Sequence, residues 1–274
     1  MHHLLLKNLH KDIVFSRNKN YCAGFDKQNH KFTLYFLGEK IYEYDFPLKI
    51  VNITFSYACN SLVINSKCFV FIFNIFNKKI EFTHEEKKEI EIAYLTRNGQ
   101  VLIKNKNELI VIESNKFRRS YDCIELTTYS NKFLVINKSG VYFMNSEFIL
   151  VKIEKINPNV ENVTVFRNKI YYKDGQYIKG KDLWFFCGNI KDFSLTKSFL
   201  ITFDGKKLIA YSKFEKIKFY EQICEKYMVF SHDHIIICME DGIYIVDLKE
   251  EYKRSISSTK IIEEYNFLDV ASDY

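Results

Sequence analysis

Proline and tryptophan are nearly missing from this chain of 274 residues, which holds two prolines and one tryptophan, Trp184. No Pro-, Gly- or Ser-rich tract marks a linker, so a single domain over residues 1–274 is expected. Glycine is scarce too, with nine in all. No apolar run approaches the roughly 20 residues that cross a bilayer as a helix. The leading Leu4-Leu5-Leu6 is too short for the apolar core of a signal peptide. Seven cysteines (Cys22, Cys59, Cys68, Cys123, Cys187, Cys224 and Cys238) form no Cys-x-x-Cys pair. An odd, dispersed set reads as reduced core residues, excludes a disulfide framework and points to a cytoplasmic or nuclear protein. Catalytic patterns are missing as well: there is no Gly-x-Ser-x-Gly elbow, no Gly-rich phosphate loop and no His-Glu-x-x-His. The chain is therefore expected to be no enzyme and to hold no cofactor or metal. His232-Asp233-His234 could turn two imidazoles to one strand face. It sits at a polar turn with no third ligand nearby, and reads as an exposed turn.

What the chain does have is a repeat. An apolar stretch runs into a short polar turn and straight into a second apolar stretch, starting near Cys22, Leu62, Leu102, Leu134, Ile170, Leu200 and Ile236. The mean spacing is about 36 residues, which implies stacked or radial units. Asp174-Gly175, Asp204-Gly205 and Asp241-Gly242 sit between β-branched and aromatic runs, a strong hairpin signal because glycine supplies a positive φ without steric cost. The second and third units turn instead on Asn65-Ser66-Lys67 and Asn105-Lys106-Asn107, and Asn tolerates the left-handed region better than other residues with a side chain. A short run precedes each hairpin, such as Ile90–Tyr94, and a more polar one follows, such as Lys79–Phe82. That makes four strands per unit. The middle strands are apolar at nearly every position, as two-sided burial requires, and the last alternates apolar with charged. Tyr, Phe and Ile dominate, and no long window carries helical spacing.

Four-stranded units repeated seven times resemble a β-propeller, and Glu240–Asp247 resembles the inner hairpin of the WD40 superfamily, with Val246-Asp247 where that family has Trp-Asp. The fold expected is thus an all-β, seven-bladed β-propeller of four-stranded antiparallel blades, divergent from WD40, with six or eight blades left open. One terminus should supply the closing strand. Residues 259–274, with Ile261-Ile262 and Tyr265–Leu268, serve as that strand or as a tail, and Leu4–Leu6 is the rival.

Charge is uneven. The net charge of +6 conceals an excess of Lys and Arg over residues 96–220 and an excess of Asp and Glu from residue 221 onward. The third to sixth blades would form a basic arc able to attract phosphate. Its densest cluster is Lys116, Arg118 and Arg119, and an arginine fork suits phosphate oxygens. Phe117-Arg118-Arg119-Ser120 is similar to the Phe-Arg-Arg-Gly stretch of the phosphoinositide-binding propellers of autophagy, and that resemblance implies that Arg118 and Arg119 divide between two headgroup pockets. Ser120 stands where that family has glycine, and the stretch comes after the third repeat instead of late in the chain. The function expected is a non-catalytic protein–protein interaction scaffold or adaptor subunit of an intracellular complex. The alternative is a phosphate-binding propeller that recognises RNA, a ribonucleoprotein or a phosphoinositide membrane through the basic arc.

Overall fold

A strand whose every residue is apolar needs a partner on each side, because successive side chains point to opposite faces. The structure, a computed structural model, meets that need blade by blade. It describes residues 2–7, 12–26, 30–113, 117–129, 132–145, 149–154, 160–167, 169–213 and 215–257. The chain folds into seven four-stranded antiparallel sheets, the blades of a β-propeller. It divides into two compact units, Leu9–Asn159 and Met1–Asn8 with Val160–Tyr274.

The first strand, β1 (His2–Lys7), belongs to the last blade. In the unit Leu9–Asn159, blade 1 holds β2 (Asp12–Phe15), β3 (Tyr21–Asp26), β4 (Lys31–Phe36) and β5 (Glu39–Asp45). Blade 2 holds β6 (Asn52–Phe55), β7 (Ser61–Asn65), β8 (Phe69–Asn74) and β9 (Lys79–Glu85). Blade 3 holds β10 (Ile90–Leu95), β11 (Val101–Asn105), β12 (Glu108–Glu113) and β13 (Phe117–Asp122). Blade 4 holds β14 (Glu125–Tyr129), β15 (Lys132–Asn137), β16 (Gly140–Met144) and β17 (Leu150–Glu154). Each of the seven apolar stretches read from the sequence is the second strand of its blade.

The core alternates as the pleat dictates. Leu62 and Ile64 on β7 pack with Ala23, Phe32 and Leu34 of blade 1. Val63, between them, packs with Ala93, Val101 and Ile103 of blade 3. Leu102, Leu109 and Val111 turn the other way, onto Leu126, Val135 and Met144 of blade 4. Polar bonds reinforce the seams: Thr54 Oγ1 donates to the carbonyl of Ala93 at 2.7 Å, and Asn65 Nδ2 to that of Ile90 at 3.3 Å. Fourth strands face water on one side, and β9 alternates exposed and half-buried residues along its whole length.

In the second unit, blade 5 holds β18 (Glu161–Phe166), β19 (Lys169–Asp174), β20 (Tyr177–Gly180) and β21 (Leu183–Phe186). Blade 6 holds β22 (Asp192–Leu195), β23 (Phe199–Phe203), β24 (Lys207–Ser212) and β25 (Lys218–Ile223). Blade 7 holds β26 (Lys226–Val229), β27 (His234–Met239) and β28 (Gly242–Asp247), with β1 as its fourth strand. The alternation recurs: Leu200 packs with Tyr171 and Ile178 of blade 5, whereas Phe199 and Ile201 pack with Ile235 and Ile237 of blade 7. The strand that completes blade 7 is thus β1, paired from His2 opposite Val246 to Lys7 opposite Gly242 with a shift of register between Leu4 and Leu6. The rival strand expected from residues 259–274 lies outside the described residues.

Three details differ from the sequence reading. Residues 248–257 form a helix, α1. Asp247 caps it, accepting from the amides of Lys249 and Glu250 at 2.9 and 3.0 Å. The residue aligned with the WD40 aspartate therefore serves as a helix cap. The charged run His84–Glu91, which the sequence suggests is a solvated connection between blades 2 and 3, instead buries Glu86, which lies 2.8 Å from His84 Nε2. The hairpin between β27 and β28 turns on Glu240-Asp241, and Gly242 is already the first residue of β28, opposite Met239.

Deleting residues 1–7 would strip β28 of its fourth-strand partner and expose a backbone edge. The thermal midpoint should fall by about 5 °C or more, or the protein should aggregate. An unchanged midpoint would show that β1 does not hold blade 7 together.

Candidate functional site

A concavity in the unit Met1–Asn8 with Val160–Tyr274 lies at one end of blades 6 and 7, with a volume of about 640 Å³. Three chain segments build it: the turn between β23 and β24, the link from β25 to β26, and the turn between β27 and β28. Asp204 shapes the first. Its Oδ1 accepts from the amides of Lys206 and Lys207, each at 2.8 Å, an Asx turn written by sequence. Those two amides also hold the Asp204 carboxyl below its usual pKa. Gly205 follows at φ +105°, a region that side chains disfavour. The link is latched on both sides: the Cys224 amide donates to Lys206 O in the first turn and the Glu225 amide to Cys238 O on β27, each at 2.9 Å.

The floor is apolar. Cys224 is buried, and burial pushes its thiol pKa up to about 11, so it stays protonated and acts as a small hydrophobe. Met239 lines the same wall, and Gln222 Nε2 lies 3.4 Å from its sulfur. Ile223 stands 71% exposed at the mouth. The rim carries Glu225, Glu240 and Asp241 together with Lys206, and the Lys191 side chain reaches Gly205 beside them. Tyr244 donates to Asp241 Oδ2 at 2.7 Å. Neither Glu225 nor Glu240 has a cationic partner among the described residues. Sequence reasoning passed over this site because its parts come from three separate turns, although the acidic bias after residue 221 signalled its charge.

The residues singled out in the sequence fall elsewhere. Lys116 lies outside the described residues. Arg118 and Arg119 are on β13, opposite Ile112 and Val111 of β12, and neighbouring strand positions belong to opposite faces of a sheet. Much of the basic surplus is consumed locally. Lys104 is buried and holds Glu91 at 2.7 Å, and Lys173, Lys179 and Lys207 pair with Glu161, Asp174 and Glu221. His232 is exposed at the bend before β27. His234 starts that strand, with Ser231 Oγ 3.0 Å from its Nδ1. No cluster of three or more metal-ligating side chains occurs among the described residues, and no helix there is long and apolar enough to cross a membrane.

No family model matches the chain, and no curated protein matches it. Solved structures do. The fold is similar to the β-propeller domain of Cps50 (Swd1) from Myceliophteria thermophila, with a TM-score of 0.64 and 8% identity over 89% of this chain and 99% of that one. It is similar to BamB from Moraxella catarrhalis, with a TM-score of 0.64 and 10% identity over 90% and 88% of the two chains. It also resembles the C-terminal WD40 domain of Sif2, with a TM-score of 0.61 and 10% identity over 91% and 85%. At such identities the likeness establishes the fold alone, that of a β-propeller.

Two measurements check the site's construction. Gly205→Val should cost about 1 kcal/mol or more, because valine strains at that φ and its Cβ would meet the Lys191 side chain. A thermal midpoint equal to wild type would show that the turn does not need glycine. In the native protein at neutral pH, Cys224 should resist iodoacetamide while the partly exposed Cys68 and Cys187 react sooner. Equal labelling of all three would place Cys224 outside the apolar floor.

Proposed function

We propose that the protein is a non-catalytic interaction scaffold that docks a partner protein through the cavity between blades 6 and 7. The observation that carries the reading is a rim bearing Glu225 and Glu240, two carboxylates with no cationic partner among the described residues, around an apolar floor of Cys224 and Met239. An apolar anchor in a pocket, ringed by complementary charge, is how a small number of residues dominate a protein interface. The occupant that fits is an extended segment of a partner, with one apolar side chain flanked by Lys or Arg. The described residues offer no grouping of nucleophile, base and oxyanion donors at this cavity, and its one thiol is held protonated. Propellers present rigid turn-lined ends on which such recognition can be built, and this chain places Glu225, Glu240 and Asp241 at one of them.

A random peptide display library tests this directly. Wild-type protein should select an apolar residue flanked by basic ones. Glu225→Lys combined with Glu240→Lys should reverse the flanking preference to acidic, with the thermal midpoint unchanged because both residues are exposed. A selection without consensus, or a consensus indifferent to the charge reversal, would overturn the reading.

A further inference from the structure

The other end of the same unit carries an arrangement that the docking cavity does not use. In a four-stranded antiparallel blade, the turn from first to second strand and the turn from third to fourth emerge at one end. In blade 5 these turns bring Arg167 and Asp182 to that end, and in blade 6 the turn after β24 brings Lys213. Contacts join the two blades there. The Lys213 ammonium sits 5.2 Å from the ring centres of both Phe166 and Tyr171. The Arg167 guanidinium lies 5.5 Å from the Phe166 ring centre. Lys169 Nζ is 3.0 Å from Asp182 Oδ2, and Tyr171 donates to Asp182 Oδ1 at 2.6 Å. Gly180 makes the last bond feasible: a Cβ there would fall 2.4 Å from the Tyr171 ring, which lies directly on the glycine.

The charges do not balance. Asp182 answers to Lys169 and Tyr171, and both hold its carboxyl down, to a pKa of about 2. Lys213 and Arg167 are left with no hydrogen-bond acceptor and no carboxylate in contact among the described residues. Burial lowers the Lys213 pKa, Asp182 opposes that, and Lys169 and Arg167 lower it further. Two cations with unspent donors, set over aromatic rings and repelling one another, form a surface that gains on meeting an anion with several oxygens.

We infer that Arg167 and Lys213 form a binding site for one phosphoryl group, carried on a phosphorylated side chain of a protein partner. The size of the cluster favours this over a polyanion. Asp182, Glu215 and Asp233 stand on the turns at this end of the three blades, so an RNA strand or a lipid surface laid across it would meet carboxylates. A single phosphoryl group needs only the two cations, and Asp182 beside them is already engaged by Tyr171 and Lys169. The site lies at the end of the blades opposite the cavity of blades 6 and 7, so occupancy of either leaves the other open.

The test uses the full chain and a degenerate peptide library in two forms, with phosphorylated and with unmodified Ser, Thr and Tyr. Wild-type protein should retain the phosphorylated form at least about tenfold better, the value of a charge-assisted contact or two. Arg167→Gln, an exposed position, and Lys213→Gln should each erase that preference, and Lys213→Arg should keep it. If Lys213→Gln fails to fold, Arg167→Gln carries the result alone. Glu225→Lys with Glu240→Lys should leave the phosphate preference intact, so this site and the docking cavity fail or stand separately. Equal retention of both library forms by the wild type would overturn the proposal. So would an Arg167→Gln protein that still discriminates. Tighter binding to oligouridylate, or to vesicles of equimolar phosphatidylcholine and phosphatidylserine, would replace the phosphoprotein by RNA or by a membrane.

Discussion

Two-sided burial of the middle strands is the constraint on which the rest of the structure depends. A single blade cannot satisfy it. Leu62 and Ile64 need one neighbour, Val63 the other, and the same division falls between Leu200 and the pair Phe199 and Ile201. Full burial of an aliphatic side chain contributes about 1.5–3 kcal/mol. Each blade therefore gains most of its stability from the seams with its neighbours, and the repeat must run on until every middle strand is covered. The same arithmetic explains why the turns are free to vary. They carry little of the packing, so one end of blades 6 and 7 can be acidic and the opposite end of blades 5 and 6 cationic without cost to the core.

Electrostatics is decided locally, between strands of one blade. The surplus of Lys and Arg over residues 96–220 is real in the sequence, but cross-strand pairing spends much of it. Lys173 meets Glu161, Lys207 meets Glu221, and Lys104 is drawn inside to Glu91. Arg167 and Lys213, by contrast, have no carboxylate in contact among the described residues. A sum over a hundred residues cannot distinguish these cases, since the partner of a strand lysine is fixed by register and not by nearness in sequence.

The blade plan was legible because its signals are local. Continuous apolar runs located the second strands of all seven blades to within two residues, and Asp-Gly or Asn turns marked the hairpins of blades 2, 3, 5 and 6. Three features escaped. Residues 248–257 gave a helical signal only at the cap, in the spacing of Asp247 and Glu250, and its packing of Tyr252 on Phe199 and Phe219 is tertiary. The fourth strand of blade 5, Leu183–Phe186, carries Trp184 and Phe186 where other fourth strands place charge, so alternation did not reveal it. The completing strand stayed open because both termini hold apolar residues of β type, and only pairing with β28 selects His2–Lys7. The candidate sites were less legible than the fold, since each gathers residues from turns that the sequence keeps apart.

Native-state hydrogen exchange followed by mass spectrometry tests the central claim most directly. If seams between blades hold the fold, amides of the second strands, Ser61–Asn65, Phe199–Phe203 and His234–Met239, should be the last to exchange, at the rate of global unfolding. The fourth strands Lys79–Glu85 and Lys218–Ile223 should exchange well before them. Fourth strands as protected as second strands, or second strands that open early and independently, would contradict the account.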